Sequence, residues 1–197
     1  MDNKKSILIA DDVEVNRAIL REMFQDKYTI CEARDGKEAI EVLKRDSSIV
    51  IVLLDIMMPV ADGFFVLEQM KDLNFIKHIP VIFITGSDSI EFEQRGLDLG
   101  VTEVVSKPFN PVIVTKRVEN TIALYEVKNN IEAQARKLLE KLQKTNDVMI
   151  DGFSGLVESR NRESGAHMFI TLSMILKFFL TNMPLVKKEN LHRISKR

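Results

Sequence analysis

Asp55 is the residue whose type and setting could most readily do chemistry in this chain. It follows the apolar run Ile49–Leu54, and the acidic pair Asp11 and Asp12 follows an earlier apolar run at 7–10. Because the carboxyl ends of parallel strands meet at one edge of a sheet, we expect these three carboxylates to share a crevice. Such a group suits Mg²⁺, which prefers oxygen ligands and commonly takes one or two carboxylates. We therefore expect Asp12 and Asp55 to bind the metal, with Asp11 holding a metal-bound water.

Two further residues complete the predicted site and direct it toward phosphoryl transfer. Thr85 and Lys107 each end an apolar run. The Lys107 ammonium offers a mobile positive charge to an anionic group that approaches the Asp55 carboxylate. The Thr85 hydroxyl can donate to a phosphoryl oxygen, and the neighbouring Gly86 leaves room for that group. Each residue alone could be an ordinary cap, strand or surface residue, but here five of them end apolar runs of one array.

Strands alternating with helices must position these side chains. Over about the first 110 residues, short β-branched runs alternate with segments of helical spacing, which is typical of βαβ units and a parallel sheet. The strand-like runs are 6–10, 28–33, 49–54, 80–85 and 102–106, and the helical segments are 13–25, 36–46, 63–72 and 89–98. The run 49–54 is apolar throughout, as expected for a strand covered on both faces. The sequence thus predicts an α/β domain.

The order of the motifs in this domain resembles the receiver domain of two-component response regulators over residues 4–120. The matching motifs are Leu8-Ile-Ala-Asp-Asp12, Leu54-Asp-Ile-Met-Met-Pro59 with Asp62-Gly63, Ile84-Thr-Gly86 and Ser106-Lys-Pro-Phe109. The resemblance implies a doubly wound, five-stranded, flavodoxin-like parallel sheet in which a partner histidine kinase phosphorylates Asp55. It also implies Mg²⁺ held by Asp12, Asp55 and the backbone carbonyl of Met57, and a cis peptide bond at Lys107–Pro108.

One position departs from the receiver pattern. Receivers often carry Tyr or Phe two residues before the lysine as part of an aromatic switch, whereas this chain has Val105. We therefore expect Thr85 to act without the aromatic half of that relay, and phosphorylation to change the surface near 88–120. A receiver that no longer accepts phosphate is an alternative interpretation, although no pocket residue is missing.

A long helix is predicted to follow the receiver-like segment. No glycine interrupts residues 110–149, and Pro111 suits a first helical turn. Six residues alternate in spacing of four and three, which predicts a seam for pairing with a second helix and hence a homodimer. This seam comprises Ile131, Ala135, Leu138, Leu142, Thr145 and Met149. A solitary solvated helix is the alternative, because charged and amide side chains fill the remaining positions.

Residues 151–197 have a third texture, and residues 156–167 are similar to the opening of HD-GYP domains, which hydrolyse cyclic di-GMP at a multi-metal centre. The resemblance implies Glu163 and His167 as early metal ligands, whereas their spacing alone favours a structural pair. Asn161 replaces the usual Asp, and the His-Asp and Gly-Tyr-Pro motifs of the family are absent. We therefore expect no hydrolase activity from this chain, which would be a truncated form or a natural remnant of such a phosphodiesterase.

These patterns predict three parts: a receiver domain at 1–120, a helical, coiled-coil-like linker at 121–150 and an HD-GYP-like fragment at 151–197. The chain is 45% hydrophobic with a net charge of −1, which favours a soluble protein that binds neither nucleic acid nor a membrane surface. A single cysteine and the lack of a signal peptide favour the cytoplasm. The apolar stretch 168–183 is too short and too polar to span a membrane.

The leading interpretation of function is a response regulator of a two-component phosphorelay that transmits phosphorylation through its C-terminal helix. The regulatory part of a cyclic di-GMP phosphodiesterase is the alternative. A DNA-binding transcription regulator is a weaker third interpretation, because no recognition-helix unit follows the linker.

Overall fold

The computed structural model describes residues 4–86 and 90–160, with the backbone alone for 154–160. Strands and helices alternate along it as the sequence predicted, with bounds within one residue of the predicted ones from β1 to β5. They are β1 (Ser6–Ala10), α1 (Glu14–Phe24), β2 (Thr29–Ala33), α2 (Gly36–Arg45), β3 (Ile49–Leu54), α3 (Gly63–Asp72), β4 (Val81–Thr85), α4 (Ile90–Leu99), β5 (Glu103–Ser106) and α5 (Pro111–Arg160). A short 3₁₀ helix that the sequence did not predict, Phe75–Lys77, lies between α3 and β4.

The five strands form one parallel sheet in the order β2-β1-β3-β4-β5. The predicted doubly wound parallel sheet is therefore confirmed. Strand β1 lies between β2 and β3, so the chain leaves its end toward one side of the sheet and leaves the end of β3 toward the other. In such sheets a crevice opens outside the carboxyl ends of the strands at this switch point.

Helices cover both faces of the sheet, which explains why β3 is apolar throughout. Val52 and Leu54 of β3 pack in a core with α2 and α3. Ile51 and Leu53 point to the opposite face and pack with α1 and α5. Each fully buried aliphatic side chain of this kind stabilises the fold by about 1.5–3 kcal/mol relative to an exposed one.

Helix α5 begins with a cap supplied by Asn110 and continues far beyond the sheet-forming part of the chain. The Asn110 side-chain oxygen accepts hydrogen bonds from the backbone N–H groups of Val112 at 2.9 Å and Ile113 at 3.3 Å. Pro111 occupies the first helical position, as predicted. The helix runs through Gly152, where the sequence changes texture, to Arg160, and the predicted long C-terminal helix is confirmed.

The chain divides into two compact units, Met1–Gln134 and Ala135–Arg197. Within the first unit, Val114, Val118 and Ile122 of α5 are buried against the sheet. Within the described part of the second unit the large apolar side chains are exposed: Leu138, Leu139, Leu142, Val148, Met149, Ile150 and Phe153. No helix among the described residues combines the length and the apolar character needed to cross a bilayer. The apolar stretch 168–183 lies outside those residues.

Candidate functional site

Three carboxylates meet at the carboxyl ends of β1 and β3. One oxygen from each of Asp11, Asp12 and Asp55 lies within 4.8 Å of the other two. Asp11 and Asp55 are buried, with only 8% of Asp55 accessible to solvent, whereas Asp12 is exposed. Hard oxygen donors this close together, with one at the surface, fit a divalent cation that can enter from solvent. The arrangement also concentrates negative charge that needs a positive partner.

Lys107 supplies that positive charge from the end of β5. Its Nζ donates to Asp11 Oδ2 and to Asp55 Oδ2, each at 2.7 Å. Its backbone N–H donates to the Thr85 carbonyl at 2.7 Å, which ties the lysine to the neighbouring strand β4. The Lys107–Pro108 peptide bond is cis, as the resemblance implied. One ammonium thus bridges two carboxylates that are far apart in the sequence.

Burial and mutual contact move the pKa values of this group. Burial raises the pKa of Asp55, the charge of Asp11 raises it further, and the bond from Lys107 only partly opposes the change. For Lys107, burial alone would lower the pKa, but the bonds to Asp11 and Asp55 outweigh that effect and raise it. The ammonium therefore stays charged at neutral pH between two carboxylates, and the pocket favours any further positive charge that approaches Asp55.

The main chain around Asp55 is pinned at both ends of the loop that follows it. The Asp55 N–H donates to the Ala10 carbonyl at 2.8 Å, and the Gly63 N–H donates to the Ile56 carbonyl at 2.9 Å. A Cβ on Gly63 would lie 2.5 Å from the Asp55 carbonyl oxygen, so only glycine allows α3 to begin this close. The Met57 N–H donates to Asp55 Oδ1 at 3.3 Å, which places the Met57 backbone beside the carboxylate.

Thr85 and Val105 lie on the neighbouring strands β4 and β5. Thr85 is buried at the end of β4 and is paired with Ser106 in β5. Apart from its chain neighbours, no described residue lies within 4 Å of a Cβ built on Gly86. Val105 is buried on the α1 and α5 face of the sheet and is paired with Ile84. A short aliphatic side chain therefore occupies the position where an aromatic switch residue is common.

Two residues that the sequence analysis did not single out contact the pocket from α1. The Asn16 side-chain amide donates to both carboxylate oxygens of Asp11, at 3.1 and 3.0 Å. Arg17 is buried and donates from Nη1 to the Asp11 carbonyl at 2.8 Å. A signal for Arg17 was present, because it shares the buried stripe of α1 with Leu20 and Phe24. An arginine on such a stripe needs polar partners in the interior.

The last pair of sequence-based site residues, Glu163 and His167, lies outside the described residues. All the other site residues proposed from the sequence lie at the carboxyl edge of the sheet or in the loops that leave it.

Comparison with known proteins gives a consistent family. Residues 7–119 match the family described as the response regulator receiver domain. A protein of Vibrio cholerae serotype O1 named "Probable cyclic di-GMP phosphodiesterase" is 34% identical over 173 residues, which cover 84% of this chain and 39% of that protein. "Response regulator PleD" of Caulobacter vibrioides is 36% identical over 115 residues, which cover 58% of this chain and 25% of that protein. The chain thus spans well under half the length of either relative.

A solved structure agrees with these sequence matches. The Vibrio cholerae chemotaxis protein CheY4 superposes with a TM-score of 0.56 at 28% identity, covering 60% of this chain and 98% of that one. The family match covers more than half of the chain and coincides with the sheet, its helices and the acidic pocket. This protein therefore belongs to the response regulator receiver family of two-component systems.

Proposed function

We propose that Asp55 accepts a phosphoryl group from the phosphohistidine of a histidine kinase and that α5 carries the resulting change to an output. The single observation that supports this proposal best is the Lys107 ammonium held 2.7 Å from both Asp11 and Asp55. Transfer to an aspartate needs a nucleophilic carboxylate and a cation that can move to the phosphoryl group. It also needs a solvent-exposed carboxylate that can bind a metal ion.

The transfer uses groups that already occupy the pocket. An Asp55 oxygen attacks phosphorus, a new P–O bond forms, and the P–N bond to the donor imidazole breaks. The imidazole keeps the electron pair of that bond and takes a proton from water. Lys107 can turn its Nζ from the carboxylates to a phosphoryl oxygen while its backbone stays bonded to Thr85. The Thr85 hydroxyl, at the end of the adjacent strand, would donate to another phosphoryl oxygen.

The donor set also fits Mg²⁺. We propose that Asp12, Asp55 and the backbone carbonyl of Met57 would hold the ion, with Asp11 acting through a water. When bound, the ion neutralises negative charge on the carboxylates and on the incoming phosphoryl oxygens. The fit rests on three oxygen donors within 4.8 Å of one another and on the exposure of Asp12.

The route from the pocket to α5 runs through the core on one face of the sheet. Ile84, next to Thr85, and Val105 pack in the same cluster as Val114 and Val118 of α5. A movement of Thr85 or of the Lys107 segment would therefore change the surface on which α5 rests. We propose that this repacking, without an aromatic switch residue, alters the pairing of the distal helix.

Pairing would form a homodimer along the predicted seam. The six seam residues, Ile131, Ala135, Leu138, Leu142, Thr145 and Met149, are all exposed in this chain. The polar member, Thr145, donates from Oγ1 to the Lys141 carbonyl of its own helix at 2.9 Å. Its hydroxyl is thus satisfied without a partner, and burial in a seam would not leave it unpaired.

Phosphorylation with a small donor tests the acceptor site. Wild type with acetyl phosphate and Mg²⁺ is expected to gain one phosphoryl group by mass spectrometry, and chelation of Mg²⁺ should suppress the gain. Asp55→Asn is expected to gain none, whereas the control Asp26→Asn, on an exposed residue outside the pocket, should match wild type. Equal labelling of Asp55→Asn and wild type would show that the assigned acceptor is wrong.

A second function is favoured by the Vibrio cholerae relative, whose match of 173 residues extends beyond the receiver region. In that case the chain would be the regulatory part of a cyclic di-GMP phosphodiesterase. The test is whether the reading frame continues past Arg197 into a His-Asp motif and whether that longer protein hydrolyses cyclic di-GMP. Hydrolysis that differs between wild type and Asp55→Asn would support regulation, and a frame that ends at Arg197 would remove this function.

A further inference from the structure

Asp11 is held from α1 as well as by Lys107. Its Oδ1 accepts from the Val13 N–H at 2.9 Å and from Asn16 Nδ2 at 3.1 Å. Its Oδ2 accepts from Asn16 Nδ2 at 3.0 Å and from Lys107 Nζ at 2.7 Å. Asn16 therefore donates to both oxygens of the Asp11 carboxylate, and these hydrogen bonds do not depend on Lys107.

Arg17 fixes the main chain of the same residue. Arg17 is only 3% accessible, and its guanidinium donates to the Asp11 carbonyl at 2.8 Å. Nε donates to Glu32 of β2 at 3.1 Å, and Nη2 pairs with Glu14 of α1. Because a planar guanidinium presents its donors in a rigid fork, these two acidic partners hold the third donor on Asp11.

We propose that Asn16 and Arg17 are positioning residues for the acidic pocket. Asn16 sets the carboxylate of Asp11, and Arg17 sets its backbone. The inference rests on the proposed function, because the task that Asp11 would serve is Mg²⁺ binding during phosphorylation of Asp55. When Lys107 turns toward a phosphoryl oxygen, Asp11 loses one donor but keeps Asn16 and the Val13 N–H. Asp11 then keeps its orientation throughout the reaction.

The decisive experiment replaces Asn16 by an isosteric side chain without donors and measures Mg²⁺ binding in the absence of a phosphodonor. Removal of a partner that orients a metal-binding group typically weakens metal affinity about 10-fold or more. We expect Asn16→Leu to raise the Mg²⁺ dissociation constant, measured by titration calorimetry, about 10-fold. The rise in unfolding temperature on addition of Mg²⁺ should shrink accordingly, and phosphorylation by acetyl phosphate should recover at saturating Mg²⁺.

Two matched controls separate positioning from general damage. Gln25→Leu removes another amide at the end of α1, one that donates to exposed Glu22 rather than to the pocket, and should bind Mg²⁺ like wild type. Arg17 and Arg21 both pair with Glu32, but Arg17 donates to Asp11. Arg17→Lys should therefore weaken Mg²⁺ binding several-fold, whereas Arg21→Lys should not.

The outcomes are distinguishable from failure of the proposed function. A wild type that binds no Mg²⁺ and takes no phosphoryl group would contradict the function itself. A wild type that does both, with Asn16→Leu folded and within twofold of its Mg²⁺ affinity, would overturn the positioning role. So would equal weakening by Gln25→Leu. If Asn16→Leu does not fold, Asn16→Ala, which removes the same donors with a smaller side chain, carries the same expectation.

Discussion

The acidic pocket and the distal part of α5 are built in opposite ways. The pocket joins residues from the ends of β1, β3 and β5, and Lys107 bonds both Asp11 and Asp55. The helix from Ala135 onward was predicted from the local spacing of its apolar residues, and 59% of Leu138 is accessible to solvent. The pocket is thus completed by contacts within the chain. The predicted seam of the distal helix is exposed among the residues that the structure describes.

The proximal and distal parts of α5 differ in what surrounds them rather than in the types of residue they contain. In the proximal part of α5, Val118 is fully buried against the sheet. Arg117 pairs with Glu103 of β5, and Asn129 donates to the His78 carbonyl at 3.0 Å. The same apolar residue types, at the same kind of spacing, are exposed further along. An apolar stripe is therefore typical of a helix face that another element covers, but the stripe alone does not identify that element.

The largest effect should come from charges placed in the seam. Leu138→Lys with Leu142→Lys would remove two apolar contacts of about 2 kcal/mol each. The dimer dissociation constant should then rise at least roughly 1000-fold, and light scattering on the full chain should report a monomer.

A matched control lies off the seam on the same helix. Leu139→Lys with Ile150→Lys introduces the same charge at exposed apolar positions, one of them 61% accessible, and should leave the dimer intact. Equal dissociation by both double variants would contradict the register of the seam. A wild type that is monomeric at every concentration would contradict the dimer.

Gly63→Ala should be the next largest effect, because it places a methyl group where the pocket backbone already lies. The new Cβ would sit 2.5 Å from the Asp55 carbonyl oxygen and 3.0 Å from Ile56 Cα. Overpacking against backbone should lower the free energy of unfolding by about 2–3 kcal/mol in urea titration. Gly86→Ala is the control, because no described residue beyond its chain neighbours lies within 4 Å of the new Cβ. It should change the free energy of unfolding by less than about 0.5 kcal/mol. Similar losses in both would refute the close approach.

Asp55→Asn should stabilise the protein without Mg²⁺. Burial, helped by Asp11, raises the pKa of Asp55 above its ordinary value of 3.8. A raised acid pKa means that the ionised form costs stability, and this cost appears as pH rises through and above 3.8. The neutral asparagine should gain roughly 1 kcal/mol in free energy of unfolding at pH 7.

The pH dependence of that gain is the sharper measurement. The gain should disappear as pH falls below 3.8, where Asp55 is protonated in both the folded and the unfolded protein. Thermal unfolding of both proteins in chelating buffer across this range measures the difference, with Asp26→Asn as the exposed control. A loss of stability at pH 7 would mean that the Lys107 bond outweighs burial.

The smallest effect should come from a glycine-to-alanine change at Gly152, in the distal helix. Gly152 lies inside α5, and outside its own helix backbone no described residue lies within 4 Å of a Cβ built there. Alanine should therefore favour the helix by about 0.5–1 kcal/mol, seen as a more negative ellipticity at the helical band. A lower free energy of unfolding for Gly63→Ala and a more negative ellipticity for Gly152→Ala would show that the two regions respond oppositely to the same added methyl group. An unchanged ellipticity would argue against a helix through Gly152.

Local pattern was sufficient for most of the fold. Each strand of β1 to β5 was predicted from a short apolar run, and each helix between them from its spacing. The 3₁₀ helix Phe75–Lys77 was missed because three residues are too short to show a period. Helix α5 passes Gly152 although glycine weakens helices, since one such residue costs only about 1 kcal/mol.

The pattern of apolar runs was enough to predict which residues end strands. It therefore predicted one edge of a parallel sheet for Asp11, Asp12, Asp55, Thr85 and Lys107. That inference works because strand ends in this topology converge whatever the side-chain details. The sharing of Lys107 between two carboxylates, and the hydrogen bonds from Asn16 and Arg17 to Asp11, are visible only in the folded chain. Those contacts depend on distances of about 3 Å between residues on different elements, and hydrogen bonds have no sequence period that could reveal them.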